Sequence, residues 1–134
     1  MEYKVILISH NDFAEGLRKA LEMIMGNLSQ LKAYGLQEGE NPDLLIQKIR
    51  QEIAPSEQVI ILADIFGGSM CNSALRLLDM ENVTLVAGMN LPLAMEIILM
   101  KPKTKEALDD LIEHVKSGIK RVELDFSWCN DEDE

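Results

Sequence analysis

Three groups of residues in this chain could do chemistry together. Ser9-His10 stands where the apolar run Val5-Ile6-Leu7-Ile8 stops, and Asp64 stands where a second run, Val59-Ile60-Ile61-Leu62-Ala63, stops. Gly67-Gly68-Ser69 follows shortly after the second. An imidazole at a strand end can be a nucleophile, a base or a metal ligand. A carboxylate beside it would hold one ring N–H, fix the tautomer and stabilise the imidazolium charge while the other nitrogen takes an electrophile. Gly67-Gly68 lets the backbone approach a ligand closely. A helix starting there offers unpaired N–H groups and its positive dipole end to an anion, with the Ser69 hydroxyl as a further donor. Histidine, carboxylate and anion cradle together describe a phosphoryl-accepting site. Each group has a plainer use alone: a packed or capping histidine, a helix N-cap for Asp64, a tight turn for the glycines. Their coincidence favours the chemistry.

Such convergence needs the two strands to lie parallel, with both carboxyl ends on one edge of a sheet. The pattern provides this. Tyr3 to Ser9 reads as a strand apolar on both faces, as in a helix-covered parallel sheet. Asp12 with Glu15 makes a capping-box pattern for a helix from Phe13 to Met25, with Phe13, Leu17, Ala20, Leu21 and Ile24 as its buried stripe and Gly26 as its stop. Gln30 to Gly35 is a weaker strand. Asn41-Pro42 opens a second helix with the stripe Leu45, Ile49 and Ile53. Gln58 to Asp64 is the second strong strand, and the helix after the glycines carries Ala74, Leu75, Leu77 and Leu78. A strand from Asn82 to Ala87, an almost wholly apolar helix from Leu91 to Met100, and a helix with Leu108, Leu111, Ile112 and Val115 complete the body. His114 lies off that last stripe and reads as a surface residue. Arg121, Glu123 and Asp125 alternate with Val122, Leu124 and Phe126, the pattern of a strand wet on one face. It belongs at a sheet edge or between subunits. The expected architecture is α/β: three layers, α/β/α, around a mainly parallel sheet, with residues 1–128 as one domain and 129–134 as an acidic tail.

Composition narrows the function. The 134 residues carry a formal charge of −10, and 47% are hydrophobic. That suits a single cored domain and disfavours nucleic acid, which calls for a basic surface. Asp131 to Glu134 supply four of those charges, so the rest is still at −6. Leu91 to Met100 is too short to span a bilayer, and no signal-like segment opens the chain, so a cytoplasmic protein is expected. Cys71 and Cys129 form no zinc-type cluster, Cys71 reads as a small buried thiol, and neither metal nor cofactor is expected. No GxxxxGK[ST] loop is present, and Gly68-Ser69-Met70-Cys71 lacks the second glycine of a GxSxG elbow. A response-regulator receiver has acids after strand one, where this chain has Ser9-His10.

Three ordered motifs resemble one family. Residues 9–17, Ser-His-Asn-Asp-Phe-Ala-Glu-Gly-Leu, are similar to the SHGxxAxGL signature of enzyme IIA of the bacterial phosphotransferase system (PTS), mannose family. Residues 64–72 resemble its DxxGGSPxN signature, and residues 88–92 its GxNxPM segment. Asn11, Met70 and Leu93 depart from the motif residues Gly, Pro and Met. The resemblance implies that His10 accepts a phosphoryl group from the phosphocarrier HPr and passes it to a separate IIB component, and so indirectly to membrane permease components. It also implies that Asp64 partners the histidine, that Gly67, Gly68 and Ser69 hold the phosphate, and that the protein is a homodimer exchanging its last, antiparallel strand. The phosphotransfer subunit of dihydroxyacetone kinase is similar at the histidine but carries a different turn. A regulatory phosphohistidine module would use the same residues, and a metabolite-binding domain without phosphoryl chemistry is a third alternative. Phe66, on the turn beside the proposed phosphate site, is a candidate anchor for protein partners.

Overall fold

The computed structural model describes residues 2–124. Its elements are β1 (Glu2–His10), α1 (Phe13–Met25), β2 (Leu31–Leu36), α2 (Pro42–Gln51), β3 (Glu57–Ala63), α3 (Ser69–Ala74), a 3-10 segment (Leu75–Asp79), β4 (Val83–Ala87), α4 (Leu91–Met100) and α5 (Lys105–Lys116). All strand pairs are parallel, in the order β2-β1-β3-β4. From β1 the chain goes out to β2 on one side, then crosses to lay down β3 and β4 on the other. Strand order therefore reverses between β1 and β3, and a crevice opens at their carboxyl ends.

The continuous apolar runs are explained by two cores, one on each face. Successive side chains of β1 point to opposite faces. Val5 and Leu7 pack with Leu17 and Leu21 of α1, Leu93 and Ile97 of α4, and Leu108 of α5. Ile6 and Ile8 pack with Ile46 and Ile49 of α2 and with Met70 and Leu77 beyond β3. Leu7, Ile8, Ile61 and Leu62 are completely buried. Truncating any of them to alanine should cost about 2–5 kcal/mol, because cores this dense collapse only partly around a void. The strand ends that carry His10 and Asp64 thus project directly from fully buried residues of the two cores.

Several local expectations are corrected. Phe13 and Ile24 are half-exposed, and the inward stripe of α1 is Ala14, Leu17 and Leu21. Asp12 makes no capping bond to α1. The hydroxyl of Ser9, fully buried, accepts the Ala14 N–H at 2.7 Å instead. The helix after the glycines is only six residues long and tightens into the 3-10 segment, leaving Leu75 and Leu78 exposed. A macrodipole from so short a helix adds little to an anion site. Asn41 does cap α2, accepting from Asp43 N at 2.8 Å, with Pro42 in the first turn. Arg121 to Leu124 have no regular structure, and Val122 and Leu124 are exposed. Asp125, Phe126 and the acidic tail lie outside the described residues, so the last-strand expectation stands untested for this single chain.

Candidate functional site

His10 is the last residue of β1, and Asp64 follows the last residue of β3. The β1–β3 pairing runs on to this point, where Asp64 N–H donates to Ile8 O at 3.1 Å. Neighbouring parallel strands so aligned bring the two side chains together at the switch in strand order. Asp64 Oδ2 accepts two bonds from the same residue, one from the His10 backbone N–H at 2.8 Å and one from its ring Nδ1 at 2.7 Å. Oδ1 accepts the Ile65 N–H at 2.9 Å. Burial pushes the Asp64 carboxyl up, but the His10 backbone N–H, the His10 ring and the Ile65 N–H outweigh it and hold the group below its ordinary value. An ionised carboxylate can only accept, so the proton sits on Nδ1 and the lone pair on Nε2.

Nε2 faces the hydroxyl of Ser69 at 3.0 Å. Gly68, not Ser69, is the N-cap residue of α3, so the serine hydroxyl is free to point across at the ring rather than back at its own helix. Gly68 is a glycine for lack of room: a Cβ there would stand 2.6 Å from Ile65 Cγ2 and 3.4 Å from His10 Cε1. Gly67 has a φ of +80°, and its carbonyl is braced by Asn72 Nδ2 at 3.1 Å. Four of the sequence-derived site residues, His10, Asp64, Gly68 and Ser69, thus meet within contact distance. Gly67 shapes the turn beside them. Cys71 is a buried thiol on α3 with no disulfide partner among the described residues, and His114 is exposed on the last turn of α5.

The site is a ledge rather than a pocket. The His10 side chain is 51% exposed, whereas that of Asp64 is 12% exposed. Phe66 projects beside it at 86% exposure, with Ile65 and Phe13 also exposed. A cleft of about 660 Å³ lined by Gln58, Thr84 and Lys103 lies toward the opposite edge of the sheet. An exposed imidazole flanked by bare apolar side chains differs from a small-molecule site, which is concave and encloses most of its ligand. Spacing alone did not reveal Gly35 and Asn11, which meet under the β1–α1 turn. Their only sequence signal is a glycine inside a strand and an asparagine where the family motif has glycine.

The fold and site define an α/β domain of the doubly wound kind with an exposed, carboxylate-held histidine at its switch point. The family model described as "PTS system fructose IIA component" (EIIA-man) matches residues 4–116, and the chain belongs to this family of PTS IIA components. A fructose-specific EIIA component of Bacillus subtilis (strain 168) is 32% identical over 117 residues, covering 84% of this chain and 79% of that protein. The mannose-specific EIIAB component of Escherichia coli (strain K12) is 29% identical over 129 residues, covering 91% of this chain. This chain spans only 40% of that longer relative. The mannose/sorbose-specific IIA subunit from Enterococcus faecalis superposes with a TM-score of 0.82 at 25% identity, over 93% of this chain and 98% of that one.

Proposed function

We propose that this IIA component carries a phosphoryl group on His10, taking it from phospho-HPr and giving it to a separate IIB component for sugar uptake and phosphorylation. The observation that carries the reading is the pair of contacts on one half-exposed imidazole, Nδ1 on Asp64 and Nε2 on the Ser69 hydroxyl. In the proposed step, the Nε2 lone pair attacks phosphorus as the donor's N–P bond breaks, and that bond's electron pair returns to the donor nitrogen. Positive charge then develops on the His10 ring, where the Asp64 carboxylate stabilises it through Nδ1–H. Ser69 Oγ occupies the space the phosphoryl group needs, so its hydroxyl turns aside and donates to a phosphoryl oxygen, alongside the Gly67-Gly68 turn. The second transfer is the same step reversed onto the IIB acceptor. Both partners must reach one nitrogen, so they share the surface around Phe66. No described helix is long and apolar enough to cross a membrane, and the proposed exchange with HPr places the protein in the cytoplasm.

Incubation with labelled phospho-HPr tests the reading. His10→Ala should take up no label and His114→Ala should take it up normally, with the bond acid-labile and alkali-stable as in a phosphoramidate. Release of the label onto a IIB protein separates a carrier from a regulatory module that keeps it. Label on the His10→Ala protein would overturn the assignment.

A further inference from the structure

Gly35 lies in β2 with no positive φ, so an alanine there would suit the strand's own backbone. What excludes it is a neighbour. A Cβ on Gly35 would stand 2.0 Å from the carbonyl oxygen of Asn11, 3.0 Å from its carbonyl carbon and 3.3 Å from Gln37 Nε2. Asn11 follows His10 directly and has a φ of +52°, a left-handed conformation uncommon for a residue with a side chain. The Ser9 hydroxyl donates to this same Asn11 oxygen at 3.2 Å while accepting the Ala14 N–H, which aims the carbonyl at Gly35. Asn11 N–H donates to Leu36 O at 2.7 Å, and Gln37 Nε2 donates to Asp12 Oδ1 at 3.2 Å and to Gly35 O at 3.3 Å. The carboxyl end of β2 therefore grips the turn after His10 from below, just as Asp64 grips His10 from the side.

We propose that Gly35 is a positioning residue for His10: the missing side chain seats the Asn11 carbonyl, and this fixes the ring on Asp64. The inference rests on the phosphohistidine reading for its effect on transfer, but its effect on the ring can be read without any transfer. In Gly35→Ala the Asn11 oxygen must retreat by about 1 Å to clear even the shortest tolerated Cβ contact of 3.0 Å, and that displacement acts one peptide from the nucleophile. Misplacement of that size should slow phosphoryl uptake by roughly 10- to 100-fold. Asn11→Gly should restore much of it in the double variant, because glycine can leave the left-handed conformation and swing its carbonyl away from the new methyl group.

Two measurements decide it on the intact chain. The first is the pair of His10 ring ¹⁵N shifts in unphosphorylated protein. They should report a single Nδ1–H tautomer in the wild type, a tautomer mixture in Gly35→Ala, and recovery in Gly35→Ala/Asn11→Gly. The second is the rate of label uptake from phospho-HPr, which should follow the same order. Lys32→Ala, exposed on the same strand, should change neither. Should Gly35→Ala fail to fold, Gln37→Ala loosens the same grip and should shift the ring and slow uptake about twofold or more. A folded Gly35→Ala protein with wild-type ring shifts overturns the proposal, since β2 would then be peeling away and leaving His10 in place. If even the wild type takes no label, the phosphoryl reading falls while the ring shifts still decide the role of Gly35.

Discussion

At Asp64 three N–H donors converge on one carboxylate, two of them on a single oxygen. An asparagine has one accepting oxygen and one NH₂ group, so in Asp64→Asn at least one backbone N–H meets another donor. That variant should fold but lose about 1–3 kcal/mol, as expected for a partly buried polar group without its partner. Phosphoryl transfer should slow by roughly 10²–10⁴-fold, because both the orientation of the ring and the stabilisation of its charge are lost. The carboxyl is held below its ordinary value of 3.8. Its stabilisation is therefore present above that pH and is lost as pH falls through the lower folded value. Denaturation of wild type and Asp64→Asn should give a gap that is present above pH 3.8 and closes as pH falls through the lower folded value. An Asp64→Asn protein with unchanged transfer would reduce the residue to a structural acceptor. His10, Asp64 and Ser69 were legible in the sequence because each follows an unmistakable strand or a Gly-Gly turn. Gly35 was not, because its constraint is a contact with a turn 24 positions away, and no local pattern encodes it.

The element most open to misreading was α1. Asp12 and Glu15 have capping-box spacing, yet Asp12 points to Gln37 and Glu15 pairs with Arg18, while Ser9 reaches forward to Ala14. Ser9→Ala should then cost about 1–2 kcal/mol in urea denaturation, near the upper end for a lost cap, since the abandoned N–H is buried. Asp12→Ala should stay within about 0.5 kcal/mol. The opposite ranking would restore the capping box. The strands and α2, α4 and α5 were legible because their signals are redundant: long apolar runs or stripes bounded by Asn41-Pro42, Gly88 or Gly118. The split of α3 was not, since Leu75 and Leu78 keep helical spacing while facing outward.

Taken whole, the chain leaves apolar surface that its own described residues do not cover. Among the described residues β4 pairs with β3 alone, and Leu99 and Met100 at the end of α4 and Ile119, Val122 and Leu124 beyond α5 are exposed. Bare apolar groups favour association where they gather into a patch. We expect a homodimer in which the segment from Arg121 onward, its polar and apolar residues alternating, lies against a second copy. Sedimentation at low micromolar concentration should give twice the chain mass, and a Val122→Asp/Leu124→Asp variant should sediment as a monomer. A wild-type monomer would discard the exchanged strand. The three-layer fold was legible from residues 3–118 because one chain suffices to bury those elements. The alternation over residues 121–126 has no partner among the described residues, which is the sequence pattern the proposed exchanged strand would leave.

The shared oxygen of Asp64 has a mechanical consequence. Side chains usually become rigid by burial, which hides them, and exposed side chains usually wander. His10 is fastened at two points, backbone and ring, to one atom of its neighbour, which closes a small loop through the residue itself. Those two bonds set the orientation of the ring while half of the side chain stays open to solvent, like a fixed hook on an open deck. In the proposed phosphoryl exchange, two proteins of different shape can each reach such a hook in turn, and neither has to pry anything open first.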